Sequence, residues 1–172
     1  MKFLLKGFPG HPLHPSLTDI TIGAYTFATA MAVLSKLGVS EHNTATAWWL
    51  GLIVGLAVTL PTALTGFADW LDISRGTPLW RTATAHLAVM LSATILFAIA
   101  AGAGHADYAD GVVTGGPLVM TLAGFAVMAV GGWLGGAIVF VHGMRVLNLV
   151  DEPAARAVNP IPSPEKKEAE GA

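Results

Sequence analysis

Residues 117–141 read PLVMTLAGFAVMAVGGWLGGAIVFV, a run of 25 residues without an ionisable side chain. A helix needs roughly 20 apolar residues to cross the hydrocarbon core of a bilayer. Apolar and polar residues do not alternate along the run, as they would in a half-buried strand. The stretch therefore predicts a transmembrane helix.

Three further apolar stretches have a similar length, at residues 20–37, 45–67 and 82–103. Of the 172 residues, 53% are hydrophobic and only 12% are charged, whereas soluble domains carry about 25% charged residues. We therefore expect an all-α integral membrane protein, an up-down-up-down four-helix bundle over residues 18–146. Residues 1–17 are expected to form an interfacial segment, and residues 147–172 a disordered tail.

Positive charge is distributed unequally between the two sides of this bundle. With four spans, both termini and the loop between the second and third spans share one side. That side carries all but one of the basic side chains, namely Lys2, Lys6, Arg75, Arg81, Arg145, Arg156, Lys166 and Lys167. The positive-inside rule predicts that both termini are cytoplasmic and that the protein resides in the inner membrane. The net charge of -2 leaves no basic excess for binding nucleic acid.

Histidines and carboxylates gather at the predicted cytoplasmic end of the bundle. An ionisable group at membrane depth is costly and usually faces a partner or a cavity. The other two histidines, His42 and His105, fall in the opposite loops and are interpreted as solvated. The gathered set forms the candidate site: His11, His14, Asp19, Asp69, Asp72, His86 and His142.

This set is compatible with a redox or metal-binding role. His86 and His142, on facing helices, could hold a b-type haem axially, with Asp69 or Asp72 orienting an imidazole. The whole set of imidazoles and carboxylates equally suits a divalent transition-metal ion, with His11 and His14 as loop ligands. The chain has no cysteine, which excludes covalently attached haem and iron–sulfur clusters. Redox-active membrane proteins would be the partners.

Two other functions fit the same residues. In the first, the chain is a cofactor-free structural or assembly subunit of a membrane complex, and the polar cluster is a hydrogen-bonded cap. In the second, it is a small transporter or proton pathway that uses Asp19, Asp69 and His86 as titrating groups.

Small and polar residues recur at helical spacing on the first two spans. One stripe contains Asp19, Gly23, Thr26 and Ala30, and the other contains Thr59, Thr62, Gly66 and Asp69. Both are expected to face the interior of the bundle. The glycines of 51–55 and of GGWLGG at 131–136 predict close helix contact, within the bundle or across a homodimer. Alternatively, they could clear space for a flat macrocycle.

Four sequence motifs carry a resemblance to a known family: GHPLHP at 10–15, TGFADWLD at 65–72, His86, and GGWLGGAIVFVHG at 131–143. Together they resemble a family of bacterial four-span membrane proteins known as domain of unknown function 2231. The resemblance implies a further histidine where Asp19 stands here, and a carboxylate could replace it as a metal ligand. Relatives joined to Rieske-type or cytochrome c-type domains imply a link to electron transfer.

Overall fold

A computed structural model of the chain describes residues 2–160. In chain order the elements are α1 Lys2–Lys6, β1 Gly7–Phe8, β2 His11–Pro12, α2 Leu13–Lys36, α3 Glu41–Trp70, α4 Pro78–Ala103, α5 His105–Asp110, α6 Gly115–Gly136, a π-helical turn Ala137–Val141 and α7 Ala154–Ala157. Four helices are long and apolar enough to cross a membrane: α2, α3, α4, and α6 with its π-helical turn. The prediction of an all-α chain with four membrane-length helices is confirmed.

The helices begin earlier than the predicted spans. α2 begins at Leu13 rather than at residue 20. Pro15 lies in its first turn, where a backbone N–H would have no intrahelical partner, so the proline does not prevent the helix from beginning there. α4 begins at Pro78, where the Thr77 hydroxyl caps the helix by accepting a hydrogen bond from the Trp80 amide at 3.1 Å. As a consequence, His14 lies inside a helix rather than in the segment before it.

A short antiparallel pairing of β1 with β2 precedes the bundle, with Gly7 opposite Pro12. The sequence did not predict it, because two residues are too few to show an alternating pattern. Gly7 has a φ of +70°, and a Cβ there would lie 2.4 Å from the His11 carbonyl oxygen. The turn therefore requires glycine at this position. An ion pair between Lys6 and Asp72 joins this segment to the chain just beyond α3.

The predicted tail contains one described element, the single helical turn Ala154–Ala157. Arg156 pairs with Glu152 beside it. Residues 161–172, the rest of the segment predicted to be disordered, lie outside the described residues.

The bundle consists of two helix hairpins. α2 packs along α3, and α4 packs along α6. The helices of each hairpin run antiparallel: His14, near the start of α2, contacts Gly66 near the end of α3, and Phe97, near the end of α4, contacts Gly124 in the first half of α6. The His14 end of the bundle is called the histidine end below.

Aromatic side chains join the two hairpins in the core. The rings of Tyr25 and Phe97 stack with their centroids 4.0 Å apart and their planes 8° apart. The buried Trp48 indole donates a hydrogen bond to the Thr121 hydroxyl at 3.0 Å. Large apolar side chains on the outer surface, such as Leu60, are exposed, which suits contact with lipid.

Candidate functional site

Two histidines at the histidine end are held by backbone carbonyls of the neighbouring helix. His14 Nδ1 lies 2.9 Å from the Thr62 carbonyl oxygen, and His86 Nδ1 lies 2.8 Å from the Gly131 carbonyl oxygen. A carbonyl can only accept a hydrogen bond, so each Nδ1 carries the proton and donates it. In the neutral ring this leaves the lone pair on Nε2.

Glycines make room for both rings. A Cβ at Gly66 would lie 2.6 Å from the His14 ring, and a Cβ at Gly135 would lie 3.2 Å from the His86 ring. Any larger residue at Gly66 would have to displace the imidazole. We call each arrangement of ring, glycine and accepting carbonyl an imidazole cradle.

Both imidazoles are half-buried and lie at the end of the bundle where α2 and α4 begin. They come from different hairpins, His14 from α2 and His86 from α4. The hydrogen bonds of residues 2–160 leave the Nε2 atom of each ring without a protein partner. Within the described residues, two imidazole lone pairs are therefore available at the histidine end of the bundle.

An ion pair lies next to His14. Asp69 is 6% exposed, lies three residues after Gly66, which contacts the His14 ring, and accepts a hydrogen bond from the Arg145 guanidinium. Arg145 follows the π-helical turn and has a left-handed φ of +63°, a conformation that few non-glycine residues adopt. The pair connects the end of α3 to the chain after α6, and it compensates the charge of the Asp69 carboxylate.

His142 forms a hydrogen bond with the start of α4. Its Nε2 lies 3.1 Å from the Thr82 hydroxyl, one turn before His86 on α4. His142 therefore lies at the same end as His86, with its Nε2 hydrogen-bonded to a threonine. His14, His86 and His142 therefore share the histidine end of the bundle, and the pairing of His86 with His142 as haem ligands stays a prediction.

The remaining predicted site residues lie at the surface. His11 and Asp19 are exposed, and Asp72 is exposed and paired with Lys6. Within residues 2–160 no group of three or more His, Asp or Glu side chains is arranged to hold a metal ion. The structure thus gathers His14, His86, Asp69 and, close by, His142.

The predicted inward stripe on the first span is wrong. Asp19, Gly23, Thr26 and Ala30 are all exposed, while Thr21 and Tyr25 are buried. Each residue turns a helix by about 100°, so Thr21 lies on the side opposite Asp19. The Asp19 carboxylate, close to the end of the bundle, can reach water or headgroups from that face.

The stripe predicted on the second span is confirmed. Thr62 and Asp69 are buried and Gly66 contacts His14. The Thr62 hydroxyl also lies 3.0 Å from the Thr21 hydroxyl, which links the two helices below the imidazole.

The glycine motifs are used within the bundle. A Cβ at Gly51 would meet Ala28, one at Gly55 would meet the Tyr25 ring, and one at Gly131 would meet Met90. Contact within the bundle is thereby confirmed for these glycines. Gly132 faces open space, and homodimerisation stays a prediction.

Sequence reasoning missed the accepting carbonyls of Thr62 and Gly131, because a backbone atom leaves no mark in residue identity. One signal was present: in each case the glycine that contacts the ring follows the accepting residue by four positions.

Comparison with curated proteins and with solved structures gives no match. A family of predicted membrane proteins, DUF2231, matches residues 10–148. This range includes both imidazole cradles, the Asp69–Arg145 pair and all four membrane-length helices. The chain is therefore a member of the DUF2231 family of predicted membrane proteins.

Proposed function

We propose that this membrane protein binds a redox-active transition metal between His14 and His86, as the iron of a noncovalent b-type haem, and exchanges electrons with other membrane proteins. The observation that carries the proposal is that both imidazoles have the same tautomer, held by a backbone carbonyl. Each donates through Nδ1 to a backbone carbonyl at 2.8–2.9 Å, and a metal-binding histidine is usually oriented by such a hydrogen bond from its other ring nitrogen.

The number of donors favours haem iron over a bare ion. A bare zinc ion normally takes four ligands, commonly three or four of them from the protein. The described residues offer no group of three suitable side chains, and Asp69 is engaged by Arg145. Haem iron would need fewer ligands from the protein, and the imidazoles of His14 and His86 would hold it. When bound, the haem would provide the one-electron chemistry.

The chain's own residues then have defined tasks. The carbonyls of Thr62 and Gly131 fix the tautomer of the two rings and increase the basicity of Nε2. The Asp69–Arg145 pair lies next to His14, and the Arg145 guanidinium compensates the negative charge of the buried Asp69 carboxylate. The absence of cysteine requires any haem to be held noncovalently.

The test is the optical spectrum and the metal content of the full chain, purified in detergent from cells supplied with iron and trace metals. The proposal predicts a Soret band and about one haem per chain. His14→Ala and His86→Ala should each remove one imidazole that would hold the haem, and each should change the spectrum. His142→Ala serves as the matched control, because its Nε2 is bonded to Thr82, and it should retain the wild-type spectrum.

The other outcomes separate the alternatives. A colourless protein that contains one copper or another ion, lost in His14→Ala and His86→Ala, would replace the haem with a bare ion at the same imidazoles. A colourless, metal-free protein would contradict the proposal and favour the cofactor-free subunit, in which the cradles serve only as internal hydrogen bonds.

A further inference from the structure

The ring side chains of the two hairpins recur at the same spacing. On α2, His14 is followed eleven residues later by Tyr25. On α4, His86 is followed eleven residues later by Phe97. Tyr25 and Phe97 stack on each other, and His14 and His86 each lie eleven residues nearer the start of their helix. Eleven residues are about three helical turns, so the rings form two layers, each with one ring from either hairpin.

The partner helices repeat the same spacing in glycines. On α3, Gly55 and Gly66 are eleven residues apart, and so are Gly124 and Gly135 on α6. A Cβ would lie 2.5 Å from the Tyr25 ring at Gly55 and 3.0 Å from the Phe97 ring at Gly124. Each of the four rings therefore packs against a glycine of the next helix in its own hairpin.

The hydrogen bonds complete the correspondence. The carbonyl that accepts from His14 belongs to Thr62, four residues before Gly66. The carbonyl that accepts from His86 belongs to Gly131, four residues before Gly135. The spacing of ring, glycine and carbonyl is thus the same in both hairpins. The residues around them differ: Asp69 lies three residues after Gly66, whereas Ile138 lies three residues after Gly135.

We infer that α2–α3 and α4–α6 are two copies of one structural unit, and that Gly66 and Gly135 are equivalent positioning residues that fix the imidazoles of His14 and His86. The two cradles act as a matched pair, one in each hairpin. The consequence for ligand binding rests on the proposed function: two imidazoles of the same tautomer, each oriented by its own hairpin, would hold the metal. The Asp69–Arg145 pair belongs to one cradle alone.

The experiment measures the ring ¹⁵N resonances of the histidines in the full chain, reconstituted in lipid, for four glycine-to-alanine variants. Gly66→Ala should shift the His14 Nδ1 resonance, because the new methyl displaces the ring from the Thr62 carbonyl. Gly135→Ala should shift the His86 resonance by less, since its Cβ lies 3.2 Å rather than 2.6 Å from the ring.

Gly55→Ala and Gly124→Ala are the matched controls. They create the same kind of clash one layer away, against Tyr25 and Phe97, and should leave both histidine signals in place. If Gly66→Ala does not fold, the milder Gly135→Ala decides the result. Resonances that stay unchanged in the cradle variants, or that move equally in the controls, would overturn the inference.

A second readout connects the cradles to the metal. Loss of a group that orients a metal-binding histidine commonly lowers metal affinity by about 10–100-fold. We expect a loss of that size for haemin titrated into apo Gly66→Ala, and an unchanged affinity for Gly55→Ala. A wild-type chain that binds neither haemin nor an ion would contradict the proposed function, while the ring resonances would still decide whether the glycines position the imidazoles.

Discussion

Replacing Asp69 with Asn tests the ion pair beside His14. Asp69 is 6% exposed, and the Arg145 side chain with which it pairs retains 30% of its exposure. Asn keeps the shape of the side chain and removes its charge, so the Arg145 guanidinium loses its counterion. We expect the free energy of unfolding to fall.

The size of the effect follows from this unequal burial. Removing one partner of a fully buried ion pair costs about 3–5 kcal/mol, whereas exposed pairs contribute about 0.2–1 kcal/mol. Arg145 can turn toward water or headgroups once Asp69 is neutral, so the value should lie between these limits. We expect a coupling energy of about 1–2 kcal/mol between the two side chains, roughly a 5–30-fold change in the unfolding equilibrium.

The assay is a double-mutant cycle of Asp69→Asn and Arg145→Gln, with reversible unfolding in a denaturing detergent. The matched control is a cycle of Asp72→Asn and Lys6→Gln, because that pair is more exposed and should couple by no more than about 1 kcal/mol. Added salt should weaken the control pair more than the buried one. A coupling energy near zero for Asp69 and Arg145 would refute the reasoning.

Two further predictions concern packing and orientation. Gly55→Ala places a Cβ 2.5 Å from the Tyr25 ring and should lower the free energy of unfolding by about 1–3 kcal/mol. Gly23→Ala, which faces open space, should leave it equal or slightly higher; equal losses in detergent unfolding would contradict this packing. For orientation, a single cysteine at Asn159 should react with a membrane-impermeant thiol reagent only after permeabilisation, and one at Asn43 should react in intact spheroplasts. The reverse pattern would contradict cytoplasmic termini.

The sequence predicted the membrane-length helices well, because length and apolar composition alone decide whether a segment suits the hydrocarbon core. It predicted their starting points less well. The first turn of a helix tolerates proline and polar residues, so residues such as Pro15 in α2 read as a preceding loop. The β1–β2 pair was too short to show any period.

Helical spacing identified a stripe on α2 without identifying the side of the helix that faces the bundle. Asp19, Gly23 and Thr26 have the spacing of a packing face, but so do Thr21 and Tyr25 on the opposite face. Periodicity reports that residues share a face, and only contact with α3 decides which face is buried. Here the hydroxyl pair of Thr21 and Thr62 lies inside.

The sequence predicted which residues gather at the candidate site, but it predicted only part of how their side chains are arranged. Length and order of the spans placed His14, Asp69 and His86 at one end of the bundle. The positions of the His14 and His86 rings depend on Gly66 and Gly135, which carry no side chain, and on backbone carbonyls. No pattern of residue types encodes these contacts directly.

Cross-linking in native membranes tests most directly whether His14 and His86 face one shared site. The chain has no cysteine, so His14→Cys with His86→Cys introduces a single thiol pair. A short bifunctional thiol reagent should join them, as it should in the positive control Thr21→Cys with Thr62→Cys, whose native hydroxyls lie 3.0 Å apart. A cross-link in the control pair without one between positions 14 and 86 would contradict the account.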